Sequence, residues 1–125
     1  MPRLTDDQLD KEVLFQLKQH RGKAHPIGRW ELVVKIFGMG ADVPRSDDNF
    51  ADREIRYAVN RLRKSGVLIC DMGDGAGRFL PESMEEYRAF RAKFVGRAYD
   101  VIETADAMDK AANEEFPDAQ QPRLL

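Results

Sequence analysis

A glycine at the end of an arginine-rich helix limits most strongly what this chain can fold into. In REIRYAVNRLRKSGVLICDMGDGAGRFL, residues 53–80, a helical period gives way at Gly66 to the apolar run VLIC, a glycine-rich loop and the apolar run GRFL. Glycine accepts the left-handed backbone that closes a helix, so Gly66 marks the end of one. The two apolar runs are of strand type, and the connection DMGDGA supplies glycines where a hairpin needs positive φ. Pro81 cannot donate to a ladder and stops the second strand. The expectation is a helix followed directly by a two-stranded antiparallel hairpin, with Val67, Ile69 and Phe79 closing the core beneath the helices.

At about 100° per residue, the helix DREIRYAVNRLRKS gathers Ile55, Ala58, Val59 and Leu62 on one side and Arg53, Arg56, Tyr57, Asn60 and Lys64 on the other. One face packs and the other is presented. Over residues 52–64, Arg53, Arg56, Arg61, Arg63 and Lys64 stand against Asp52 and Glu54, a local charge of +3 in a chain whose formal net charge is -2. Guanidinium groups fork onto guanine O6 and N7 or onto phosphate, and asparagine pairs with adenine through two hydrogen bonds. Arg53, Arg56, Tyr57 and Asn60 are therefore the candidate base readers, with Arg63 and Lys64 beside them. The competing reading is a basic face that meets only water.

Upstream, TDDQLDKEVLFQLKQH repeats Leu9, Val13, Leu14 and Leu17 at helical spacing behind a cap at Thr5 or Asp6. RGKAHPIG breaks the helix and leaves Ile27 as an apolar anchor in a short extended piece. Arg21, Lys23 and Arg29 in this region form a candidate phosphate clamp, or else a solvated loop. GRWELVVKIFG predicts a short second helix with Trp30, Val33, Val34 and Phe37 on its packed face and Gly38 at its end. MGADVPRSDDNFA reads as a loop longer than a tight turn between two helices, and Asn49 or Asp52 can cap the third helix.

Three helices and then a hairpin, with a basic presented face on the third helix, is the layout of a winged helix-turn-helix. The expected fold class is mainly α with a small β-hairpin, followed by a long C-terminal helix. The expected divisions are a winged-helix domain over 1–81, the long helix over 82–116 and a flexible tail over 117–125.

That last helix opens on a capping pattern, Ser83 to Glu86. Tyr87, Phe94, Val101 and Met108 recur every seven residues, with Ala98, Ala105 and Ala112 in a second row beside them. Tyr87, Phe90 and Phe94 suit packing on the body in the first turns. The later part predicts dimerisation through Phe94, Ala98, Val101, Ala105 and Met108, while Glu103, Asp106, Asp109, Glu114 and Glu115 would keep it away from a duplex. A two-fold homodimer would present two recognition helices to the half-sites of a palindrome.

At 125 residues the chain has room for one core, and 42% hydrophobic residues place it among globular chains. The single cysteine, Cys70, cannot form an internal disulfide, and the expectation is a reducing compartment, the cytoplasm. MPRLTDDQLD has no signal-peptide core, and no run approaches the ~20 apolar residues of a membrane span. His20, His25 and Cys70 lack metal-ligand spacing, and GMGAD and GDGAG lack the lysine of a phosphate loop. No metal or cofactor is expected. Nothing groups into a catalytic triad, so the chain is expected to act by binding rather than as an enzyme.

Four stretches, RGKAHPIGRWEL, DREIRYAVNRLRKSGVLIC, GRFL and PESMEEYRAFRAKFVGRA, cover most of residues 21–112. In these the chain resembles a family of small phage and prophage winged helix-turn-helix proteins. The resemblance implies double-stranded DNA as a partner, a role in transcription or replication control, and residence in the cytoplasm of a bacterial host. The alternative is a protein-interaction module that docks a replication or packaging partner, with DNA contact incidental. The acidic wing tip, with Asp71 and Asp74, favours that alternative; the +3 helix favours the first.

Overall fold

The computed structural model describes residues 4–73 and 75–117. Its elements run α1 (Asp6–Leu17), α2 (Arg29–Phe37), α3 (Phe50–Lys64), β1 (Cys70–Asp71), β2 (Arg78–Phe79) and α4 (Met84–Glu115). The chain is thus mainly helical, with a small antiparallel hairpin and a long C-terminal helix.

The start of α1 is set by a capping box. Thr5 Oγ1 accepts from the Gln8 amide at 3.2 Å, and the Gln8 side chain accepts from the Thr5 amide at 2.9 Å. Leu9, Val13 and Leu17 then fall on one buried face. On α2 the packed face is rotated from the expected one: Leu32 and Val33 are buried, Trp30, Ile36 and Phe37 pack partly on the core, and Val34 is half-buried. The cause is that α2 touches both α1 and α3, so its buried sector points between them.

The long connection before α3 is organised by one side chain. Asn49 Nδ2 donates to the carbonyls of Ala41 at 2.8 Å and Pro44 at 2.9 Å, while its Oδ1 accepts from the Asp52 amide at 2.9 Å. Asn49 therefore closes the loop and caps the helix, and α3 begins at Phe50, two residues before the expected start. Ile55, Ala58, Val59 and Leu62 are buried as the period requires, joined by Ala51 and Asp52.

β1 and β2 pair Cys70 with Phe79 and Asp71 with Arg78, a ladder of two residues per strand and shorter than the apolar runs. Ile27 lies on the other side of Arg78, each donating to the other's carbonyl at 2.9 Å, so the extended piece before α2 is tied to the hairpin. Ile69, Phe79 and Leu80 are buried and Val67 is half-buried, which closes the core as expected. Fully burying an aliphatic side chain such as Leu17, Ile27, Leu32, Ile55 or Ile69 stabilises the fold by roughly 1.5–3 kcal/mol each.

Two compact units are present, Met1–Phe90 and Arg91–Leu125. The first holds α1–α3, the hairpin and the opening turns of α4. Ser83 Oγ accepts from the Glu86 amide at 3.2 Å, and the Glu86 carboxylate accepts from the amides of Glu82 at 3.1 Å and Lys23 at 3.2 Å. The Arg63 guanidinium sits 5.4 Å from the centre of the Phe90 ring. The second unit is the rest of α4, a helix in which no residue is buried. Of the expected tail, residues 118–125 lie outside the described residues, as does Asp74, expected in the acidic wing tip. Among the described residues no helix is long and apolar enough to cross a membrane.

Candidate nucleic-acid interface

Five side chains sequence analysis placed on the presented face of α3, Arg53, Arg56, Tyr57, Asn60 and Lys64, are all exposed. They divide into two groups. Arg53, Tyr57, Asn60 and Lys64 follow the spacing i, i+4, i+7, i+11, which makes one stripe along the helix. None of these four side chains has a hydrogen-bond or ion-pair partner among the described residues.

Arg56 is different. Its Nε donates to Asp52 Oδ2 at 3.1 Å and its Nη2 to the carbonyl of Asp47 at 2.7 Å, so the guanidinium folds back to the start of its own helix. Arg29, expected in a phosphate clamp, donates from Nε to Asp52 Oδ1 at 2.9 Å and from Nη2 to Asp52 Oδ2 at 2.7 Å. The same Nη2 reaches Asp47 Oδ1 at 2.9 Å, and the guanidinium stacks 4.6 Å above the Trp30 ring. Two arginines that resembled nucleic-acid contacts therefore enclose one buried carboxylate.

Burial works to raise the Asp52 carboxyl pKa. Hydrogen bonds from Arg29 and the fields of Arg29, Arg56 and Arg78 outweigh it and hold the group below the usual carboxylate value. In return the Asp52 hydrogen bond raises the Arg29 guanidinium against the opposing effect of burial. The pair stays charged.

Other basic residues have assigned tasks. Arg61 Nη2 donates to Asp10 of α1 at 2.7 Å, which clamps α3 to α1 and raises the Arg61 pKa. Arg63 Nε donates to the carbonyl of Ile69 at 2.9 Å, and its Nη2 lies 3.4 Å from Asp71 Oδ2, which fastens the end of α3 to the first strand. Arg21 and Lys23 are exposed, but the Lys23 amide is held by Glu86. Of the expected clamp, Arg29 is directed at Asp52 and Asp47 rather than left open to an anion.

Sequence reasoning missed the hub, Asp52, which it offered only as a cap. Opposite charges at 52 and 56, four apart on a helix, are the signal for half of the network. It noted Arg78 only as the basic residue near the acidic wing tip and gave it no role; Arg78 is half-buried beside Arg63, Arg29, Asp52 and Asp71, and burial lowers its pKa. An open groove along α2 is lined by Gly28, Arg29, Trp30, Glu31, Lys35 and Arg45, and the Arg45 guanidinium is paired with Asp42 at 2.7 Å. Among the described residues no three His, Cys, Asp or Glu side chains gather as metal ligands.

No protein-family model, curated protein or solved structure matches this chain.

Proposed function

We propose that this protein binds double-stranded DNA as a winged helix-turn-helix, with α3 as the recognition helix and the β1–β2 hairpin as the wing, and that it regulates transcription or replication of a phage or prophage. The observation that carries this is the stripe Arg53, Tyr57, Asn60 and Lys64, exposed together without partners among the described residues on a helix whose start and end are fixed by other arginines. The stripe spans about 16 Å at the helical rise, a length one helix can lay into a major groove. Asn60 suits an adenine edge, Arg53 a guanine edge or a phosphate, and Lys64 a phosphate. Arg29 and Arg56 serve a different purpose here: they lock the helix start so that the stripe is presented in one orientation.

The test is binding of random-sequence duplex DNA by fluorescence anisotropy across a salt series, with light scattering on the same sample. The account predicts micromolar affinity that falls steeply as salt rises. No binding at low salt would overturn it and favour the second reading, a module that docks a replication or packaging protein. That reading is favoured by the net charge of -2 and by the acidic end of α4.

A further inference from the structure

Within α4, residues 91–115 carry a seam whose make-up specifies how a partner must lie. Phe94, Val101 and Met108 are 47%, 68% and 67% exposed. Each is followed four residues on by an alanine, Ala98, Ala105 or Ala112. Large and small side chains therefore alternate along one stripe of the helix.

In a parallel, in-register pair every residue faces its own copy. Phe94 meets Phe94 and Ala98 meets Ala98, so wide layers alternate with narrow ones and no single helix separation fills both. In an antiparallel pair the numbers of facing residues keep a constant total. One choice of that total sets Phe94 against Ala112, Val101 against Ala105 and Met108 against Ala98 at the same time. Each layer then holds one large and one small side chain, which packs at even spacing and native density.

The charges point the same way. Residues 91–97 carry Arg91, Lys93 and Arg97 and no acid, +3, while residues 109–115 carry Asp109, Glu114 and Glu115 against Lys110, -2. The last turn of α4 holds no basic residue, so its acids meet the negative end of the helix dipole, an unfavourable arrangement for the helix alone. The antiparallel register that matches the seam brings the +3 segment over the -2 segment at both ends and sets Arg91 opposite Glu115. A parallel pair would stack like on like. The middle acids, Asp100, Glu103 and Asp106, lie level with acids in either orientation, Asp100 with Asp106 in the antiparallel register and each with its own copy in the parallel one, and do not discriminate.

We infer that two copies of this chain associate antiparallel through residues 91–115 of α4, with the two-fold axis at Glu103. This rests on the self-association reading and not on DNA contact. At the helical rise the two Arg91 positions lie about 36 Å apart.

The test uses the full-length chain with Arg91→Cys and Glu115→Cys prepared separately, each oxidised alone and after mixing, and resolved on a non-reducing gel. The wild type, whose only thiol is the buried Cys70, is the blank. The expected result is a disulfide-linked dimer in the mixture at tenfold or more the yield of either variant alone. Cross-linking of Arg91→Cys by itself would mean a parallel pair, and absence of covalent dimer in every sample would mean no association at this seam; either overturns the inference. No DNA is present, so failure here leaves the α3 proposal standing and is distinguishable from its failure.

Discussion

Arg29 and Asp52, twenty-three positions apart, form a two-pronged ion pair, Nε to Oδ1 at 2.9 Å and Nη2 to Oδ2 at 2.7 Å. This pair joins the first residue of α2 to the first turn of α3. With Arg56 it surrounds a carboxylate that has no solvent exposure. The orientation of α3 therefore depends on charge pairing at its start as well as on the apolar core.

Replacing Asp52 by Asn keeps the shape but leaves two guanidinium groups without their counter-charge. Breaking a buried pair commonly costs 3–5 kcal/mol, and because Arg29 and Arg56 keep 30% and 43% of their side-chain surface, a loss of about 2–3 kcal/mol is expected. Urea unfolding at neutral pH measures it; a midpoint equal to wild type would remove the network from the account.

The same group predicts an acid limb. Asp52 has its folded pKa depressed below its unfolded value of about 4, so its stabilising contribution is complete above that value and is lost as pH falls through the folded pKa. The stability gap between wild type and Asp52→Asn should therefore stay constant from pH 7 down to about 5 and shrink below about 4. Urea midpoints of both proteins from pH 7 to pH 3 test this; a gap unchanged at pH 3 would contradict it.

Much of this was legible in the sequence, and the boundary falls between local and distant information. Thr5 with Gln8, Gly66 after the arginines and the glycines of the hairpin each act through neighbours within a few residues, and each does in the structure what its local chemistry implies. The packed face of α2 was found at Trp30, Val33 and Phe37 but its most buried sector was placed short of Leu32, which is selected by contact with two other helices that no nine-residue period reports. At the candidate site, Arg53, Tyr57, Asn60 and Lys64 were found because a helical period reveals an exposed stripe. That Arg29 turns inward was hidden, since an arginine facing an acid 23 positions away has the same sequence signature as one facing a phosphate; for Arg56 the signal was present in Asp52, four positions before it.

Gly77 is buried with φ near +146°, and a Cβ there would collide with the Ile27 carbonyl. Gly77→Ala should break the Ile27–Arg78 bridge and destabilise the fold by about 2 kcal/mol or more. Differential scanning calorimetry would show a Tm several degrees lower, whereas an unchanged Tm would mean that the bridge contributes nothing.

Burial pushes the Cys70 thiol up to about 11, and the residue has no exposed surface. The native protein at pH 8 should resist a colourimetric disulfide reagent and release one equivalent of thiol only in denaturant. Rapid labelling of the native state would mean that the first strand opens readily.

The central claim is that the stripe on α3 contacts DNA, and the double variant Arg53→Ala/Asn60→Ala tests it most directly, since neither side chain has a partner among the described residues. Fluorescence anisotropy on the same duplex, with Tm measured in parallel, should give at least tenfold weaker binding at an unchanged Tm. DNA affinity equal to wild type at that unchanged Tm would contradict the account.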